Sequence, residues 1–304
     1  MKRVIDQLKS GKILISDGAW GTMLQLKGLK TGECPELWNI SHPEVVYDIA
    51  RSYIDAGADM IETNSFGGNR FKLTHYGIAH QVFKINKLAA EISRKAAGSN
   101  HFVLGSIGST GKLLMMGEVT PEEMYEAFKE QAVALEAGSA DAILIETMTD
   151  LEEAKLAVKA AKDNTRCEVF CTMTFEKTSD NKYHTFMGVS PVEMVNKLVE
   201  AGADIIGANC GNGSADMVGI VEEIRNTNMS VPILIQANAG IPVYKDGKII
   251  YAETPEGMAA VAEKLIAAGA NIIGGCCGTT PGHIKKMAEV VKAINNKKST
   301  GGWN

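Results

Sequence analysis

No run of apolar residues in this chain approaches the roughly 20 that a membrane-spanning helix requires, and charges interrupt every apolar stretch of the opening MKRVIDQLKSGKILISDG. That reading leaves no membrane span and no secretory leader, so a cytoplasmic location is expected. Cysteine is scarce. Six occur in 304 residues, at 34, 167, 171, 210, 276 and 277, without the density of a disulfide-stapled secreted domain. Reduced thiols, free or on a metal, are the expectation. An excess of positive charge is also missing: 31 Lys and Arg stand against 36 Asp and Glu, for a net charge of -5, and the basic residues are scattered. Nucleic acid and anionic membrane surfaces are disfavoured as partners, and a small molecule is favoured.

What the chain does have is apolar content enough for a full core, 45% of its residues, and a recurring phrase. AGADMIETN (56–64), AGSADAILIET (137–147), AGADIIGANC (201–210) and AGANIIGGCC (268–277) each set a small AG after a helical pattern and before a short apolar run. A Gly just past a helix end can take the left-handed cap conformation, and a continuous apolar run suits a strand covered on both faces. Four more apolar runs lie between: KILISDG (12–18), FVLGSIG (102–108), EVFCTMTF (168–175) and PILIQANAG (232–240). Segments with apolar spacing near 3.6, such as HPEVVYDIARSYIDAG and TPEGMAAVAEKLIAAG, separate them. The expected architecture is therefore α/β, a single (β/α)8 TIM barrel over residues 1–294 with a loose tail, NNKKSTGGWN, at 295–304. A doubly wound open sheet is the runner-up. No GxGxxG follows the first strand, and the phrase recurs on every second strand, as pseudo-symmetric barrels allow.

Chemistry in such a barrel sits at the C-terminal ends of the strands. The eight predicted strands deliver there Asp17; Glu62, Thr63 and Asn64; Ser106; Glu146 and Thr147; Thr174; Asn209 and Cys210; Asn238; and Cys276 with Cys277. Cys210 alone reads equally well as a buried small hydrophobe. Adjacent Cys276 and Cys277 change that reading. Successive side chains on a strand point to opposite faces, so two neighbours share a target only where the strand breaks into a loop, and the glycines of GGCCG supply that freedom. A disulfide between neighbours is strained. Three thiolates from the sixth and eighth strands would instead give zinc three protein ligands, the count of a catalytic site that keeps one position open. Cys34, Cys167 and Cys171 lack such company and are expected to be structural. No HxH occurs and no histidine or lysine stands at a predicted strand end, which disfavours a histidine-metal hydrolase and a Schiff-base aldolase.

DGAWGTMLQ (17–25), ETNSFGGNR (62–70), ETMTDLEEAKLAVKAA (146–161), GANCG (207–211), NAGIP (238–242) and GGCCGTTPGHI (274–284) closely resemble the zinc-dependent homocysteine S-methyltransferase family. The likeness is greatest to the homocysteine domain of cobalamin-dependent methionine synthases, and it runs in order over nearly the whole chain. It implies a (β/α)8 barrel with zinc on Cys210, Cys276 and Cys277 and the substrate thiol in the open position. It further implies Asp17 and Glu146 holding the substrate ammonium and backbone near Ala19 and Trp20 receiving the carboxylate. Glu62 and Asn64 are expected on the same substrate-binding rim. The barrel fills the chain, so the methyl donor is expected to be a methyl-corrinoid on a separate protein. Within the family, S-methylmethionine or S-adenosylmethionine is the alternative donor. From a different class, a non-catalytic zinc-thiolate protein that senses oxidants or stores metal is the rival, and the carboxylates on the rim argue against it.

Overall fold

The computed structural model describes residues 3–245 and 248–299. Eight strands form one sheet: β1 (Leu14–Ile15), β2 (Met60–Glu62), β3 (Phe102–Ile107), β4 (Ala142–Met148), β5 (Glu168–Met173), β6 (Ile205–Gly213), β7 (Ile233–Asn238) and β8 (Ile272–Gly275). Around the sheet the order is β1-β8-β7-β6-β5-β4-β3-β2, and every ladder is parallel. Strand order therefore follows the chain without the reversal that a doubly wound sheet requires. The barrel closes between β1 and β2 through a seam that uses carboxylates. Asp59 donates its N–H to Ile15 O at 2.8 Å while its Oδ2 accepts from Ile15 N at 2.9 Å, and Glu62 N donates to Asp17 Oδ2 at 2.9 Å.

Eight helices wrap the sheet: α1 (Pro43–Asp55), α2 (Val82–Ala97), α3 (Pro121–Ala137), α4 (Leu151–Asn164), α5 (Pro191–Glu200), α6 (Ser214–Thr227), α7 (Pro255–Ala268) and α8 (Pro281–Ser299). Thr120, Asp150, Ser190 and Thr254 cap four of them by accepting from a first-turn N–H, which satisfies donors that the helix itself cannot. The last helix reaches Ser299, so half of the segment expected as a tail is helical. Residues 300–304 of that segment lie outside the described residues.

The AG phrases behave as the cap argument expects at three of four places. Gly57, Gly202 and Gly269 take φ of 101°, 98° and 117°. In AGSADA the reversal falls one residue later, on Ser139 at φ 76°, with Gly138 at φ -86°. That copy carries one extra residue before its strand.

Period-two alternation sorts the strand residues. Ile15, Ile61, Val103, Ile143, Val169, Ile206, Ile235 and Ile273 face outward into the apolar layer beneath the helices. Leu14, Met60, Leu104, Leu144, Phe170, Ile205, Leu234 and Ile272 point inward and form a separate apolar plug, closed from below by Val4, Ile5 and Leu8 of the helix Val4–Lys9. Two residues further along each strand, the inward position is Ser16, Glu62, Ser106, Glu146, Thr172, Gly207, Gln236 or Gly274. A polar layer thus rests directly on the plug. At Gly207 a Cβ would lie 1.7 Å from Leu234 O, so only glycine fits there.

Candidate active site and metal centre

Above the polar layer, at the C-terminal mouth of the barrel, is a cavity of about 250 Å³. Its wall includes Ala19, Trp20, Glu36, Glu62, Asn64, Phe66, Ser106, Glu146, Thr147, Gln236 and all of Cys210, Cys276 and Cys277. No lysine or arginine borders it among the described residues. Of the residues expected at the strand ends, Asp17, Thr174, Asn209 and Asn238 are absent from the wall.

The three thiols converge by two different backbone devices. On β6 the pairing with β7 shifts between Asn209 and Gly213, and Cys210 sits in the left-handed region at φ 59°, followed by Gly211 at φ 69°. On the other side β8 ends at Gly275, and Cys276 and Cys277 lie in a turn, as the sequence argument requires. Thr279 closes this turn, donating its N–H and its hydroxyl to Cys276 O at 3.1 and 2.7 Å. Gly278 takes φ 80°, and a Cβ on it would lie 2.2 Å from Tyr251 Cγ, so the Tyr251 side chain packs directly on the turn. The Tyr251 side chain lies beside the Cys277 thiol and influences its ionisation.

All three Sγ atoms lie within 4.8 Å of one another, and Cys210 and Cys277 are 4.0 Å apart. A zinc ion at about 2.3 Å from each sulfur in a tetrahedral arrangement needs sulfurs about 3.8 Å apart. The donor set and its spacing therefore fit a zinc ion. The charge pattern fits as well. Hydrogen bonds from Cys276 and Cys277 draw the Cys210 thiol down to about 3, and the same contacts push Cys277 up to about 11 and Cys276 well above its ordinary value. One thiolate forms readily and opposes the next two, so full ionisation calls for a cation. Asn238 Oδ1, buried beside this group and without a donor, is a further unused acceptor.

Across the cavity stand the carboxyls. Asp17 is fully buried; its Oδ2 accepts from Trp20 Nε1 and from Glu62 N, each at 2.9 Å. Glu146 accepts from Ser106 Oγ and, at 3.4 Å, from Asn209 Nδ2. Glu62 Oε1 accepts from Gln236 Nε2 at 2.5 Å. Burial pushes Asp17 and Glu146 up to about 7, and it pushes Glu62 well above the usual carboxylate range with help from the Glu146 and Asp17 charges. A cation entering the cavity would relieve all three.

The remaining expectations divide. Asn64 borders the cavity, yet its amide is committed to Pro35 O at 2.8 Å and Asn39 Oδ1 at 3.1 Å, so it holds the 35–39 segment in place. The Ala19 N–H is taken by Thr279 Oγ1 at 3.0 Å. Cys34, Cys167 and Cys171 are buried away from the three-thiol group, Cys34 against Glu36 at 3.3 Å. Glu36, Phe66, Gln236 and Tyr251 are site residues that sequence reasoning missed. Gln236 had a readable signal, two positions beyond inward Leu234; Glu36 and Tyr251 arrive on long loops and had none.

An eight-stranded parallel barrel carries, at the C-terminal mouth, three thiols that could hold a metal ion, in one small cavity with Glu62 and Glu146. The homocysteine S-methyltransferase profile matches residues 14–291, and the chain belongs to that family of methyltransferases. The methionine synthase of Mycobacterium tuberculosis is 33% identical over 305 residues, covering 94% of this chain and 25% of that protein. That of Mycobacterium leprae is 33% identical over 307 residues, with the same coverage of 94% and 25%. The chain thus spans about a quarter of the length of the curated relatives it matches. Among solved structures, the oxidised homocysteine methyltransferase MmuM of Escherichia coli superposes with a TM-score of 0.77 at 22% identity, over 96% of this chain and 100% of that one. Its metallated form gives 0.75 at 20% identity, over 93% and 98%. At such identity the likeness concerns the fold.

Proposed function

We propose that this chain binds L-homocysteine, holds its sulfur on zinc carried by Cys210, Cys276 and Cys277, and presents it for methylation to methionine by a methyl-corrinoid on a separate protein. The observation that carries this reading is the opposition of three thiols to the Glu62 and Glu146 carboxyls across one cavity, with Asp17 buried behind it and no lysine or arginine of the described residues on its wall. Zinc, when bound, keeps a coordinated thiol deprotonated at a pH where a free alkyl thiol, with pKa near 8.5, is mostly protonated.

The chain's own residues do the rest. Glu62 and Glu146 face the substrate ammonium, and Asp17 adds negative charge from behind Trp20, which it orients through the indole N–H. With the Ala19 N–H committed to Thr279, the substrate carboxylate falls to the backbone of Trp20 at the start of the short helix Gly21–Leu26. Ser106 and Asn209 fix Glu146, and Asn209 also approaches Cys276 Sγ at 3.9 Å, tying the acid side of the cavity to the thiol side. The substrate thiolate's lone pair would form the new S–C bond as the methyl group's bond to its donor breaks, with that bonding pair left on the donor, so no protein nucleophile is required.

A corrinoid donor is favoured by the motif likeness to the homocysteine domain of cobalamin-dependent methionine synthases, in a chain 33% identical to two proteins named methionine synthase. The test is methionine formation by the zinc-loaded chain from L-homocysteine with methylcobalamin, against a parallel reaction with S-methylmethionine. Turnover with methylcobalamin alone supports the donor assignment. Turnover with S-methylmethionine and no corrinoid overturns it.

A further inference from the structure

Gln236 carries a buried amide oxygen that accepts from nothing. The residue is 2% exposed and borders the cavity. Its Nε2 donates to Glu62 Oε1 at 2.5 Å and to Ser16 Oγ at 3.3 Å, so both amide hydrogens are used. Ser16 in turn donates its hydroxyl to Asp17 Oδ1 at 3.3 Å, which leaves its lone pairs for Gln236. Two acceptors on two strands therefore fix which end of the amide is which, and Oε1 is left without a donor. Leaving such a group unpaired costs about 1–3 kcal/mol, and a native site that bears that cost is commonly one that a ligand completes.

Two other buried side-chain oxygens lack donors among the described residues, Gln131 Oε1 and Asn238 Oδ1, and neither borders the cavity. Gln236 is the one placed beside the carboxyls. An ammonium group has three N–H donors; of the three carboxyls on the cavity wall, Glu36 already accepts from Gly67 N at 2.7 Å and from Cys34 Sγ at 3.3 Å, which leaves Glu62 and Glu146 to face it. A third acceptor there is best neutral, since each added buried charge raises the cost of ionising the other two.

We propose that Gln236 reads the substrate's amino group: its Oε1 accepts the third ammonium hydrogen, while Glu62 and Ser16 act as positioning residues that hold the amide in that orientation. The inference rests on the homocysteine-binding reading of the cavity and adds to it a residue that discriminates an amino-acid thiol from a plain thiol acid.

The experiment is calorimetric binding to the zinc-loaded chain of two ligands that differ only in the amino group, L-homocysteine and 4-sulfanylbutanoate, in the unaltered protein and in Gln236→Met. The expected result is a loss of about tenfold or more in homocysteine affinity, as for a hydrogen bond to a charged group, with the affinity for 4-sulfanylbutanoate changed less than about twofold. Equal weakening of both ligands overturns the proposal, because a purely structural role would act on both. Unchanged homocysteine affinity also overturns it. Failure of the unaltered chain to bind homocysteine overturns the cavity assignment and this inference together. Zinc content and melting temperature report whether the variant folds. If Q236M loses either, Q236N, which keeps the amide but withdraws it by one methylene, gives the same comparison.

Discussion

Cys210 Sγ and Cys277 Sγ lie 4.0 Å apart across the mouth of the barrel, although 67 residues separate them in the chain. The first is aimed by a left-handed residue at a strand irregularity and the second by a glycine turn after the eighth strand. Their meeting depends on backbone conformations that few residues tolerate.

Gly278→Ala is therefore expected to damage the site without touching a ligand. The added Cβ meets the Tyr251 ring at 2.2 Å and the φ of 80° is unfavourable to any L side chain. A cost of about 3 kcal/mol or more is expected from the overlap and the strain together. Zinc content after dialysis and the melting temperature should both fall. Full zinc retention at an unchanged melting temperature would show that Tyr251 does not brace the turn.

Cys210→Ala leaves two thiolates and an under-coordinated ion. Zinc content should drop from about one per chain to near zero after dialysis at neutral pH, with the fold intact because Cys210 is only half buried. Cys171→Ala, in the apolar layer under the helices, should instead cost stability and leave zinc in place. The reverse pattern would relocate the metal.

Asp17→Asn tests the price of the buried acid. Burial raises Asp17 from 3.8 to about 7, so the folded, substrate-free chain binds a proton that the unfolded chain has released over that interval. A raised carboxyl contributes stability that is present below about 4 and lost as pH climbs through about 7. Asp17→Asn should consequently be more stable than the unaltered chain at pH 8, by up to about 4 kcal/mol, with the difference shrinking as pH falls and vanishing by about pH 4. It should also bind homocysteine more weakly. Denaturation at the two pH values decides, and a difference independent of pH would remove Asp17's ionisation from the account.

The barrel was legible because its strands are apolar runs between helical patterns, and the cysteine group was legible because adjacent thiols between glycines have few structural uses. The alternation that makes Leu234 part of the plug also places Gln236 in the polar layer, but attention to strand termini passed over it in favour of Asn238. Glu36 and Tyr251 reach the site on connecting segments whose course no local pattern encodes. Asn64 and Ala19 border the cavity as expected, and the Asn64 amide N–H groups and the Ala19 N–H also serve neighbours that only the fold brings near. The helix that continues to Ser299 was hidden by a polar stretch whose lysines and asparagines suit an exposed last turn as well as a tail.

The central claim is that the cavity receives the substrate sulfur at the metal. X-ray absorption at the zinc edge of the zinc-loaded chain measures it directly, by counting sulfur neighbours at about 2.3 Å. The account predicts three sulfurs without ligand and four once L-homocysteine is added, with three retained when L-homoserine replaces it. A count that stays at three with homocysteine bound would contradict the account, and would place the substrate's thiol elsewhere in the cavity.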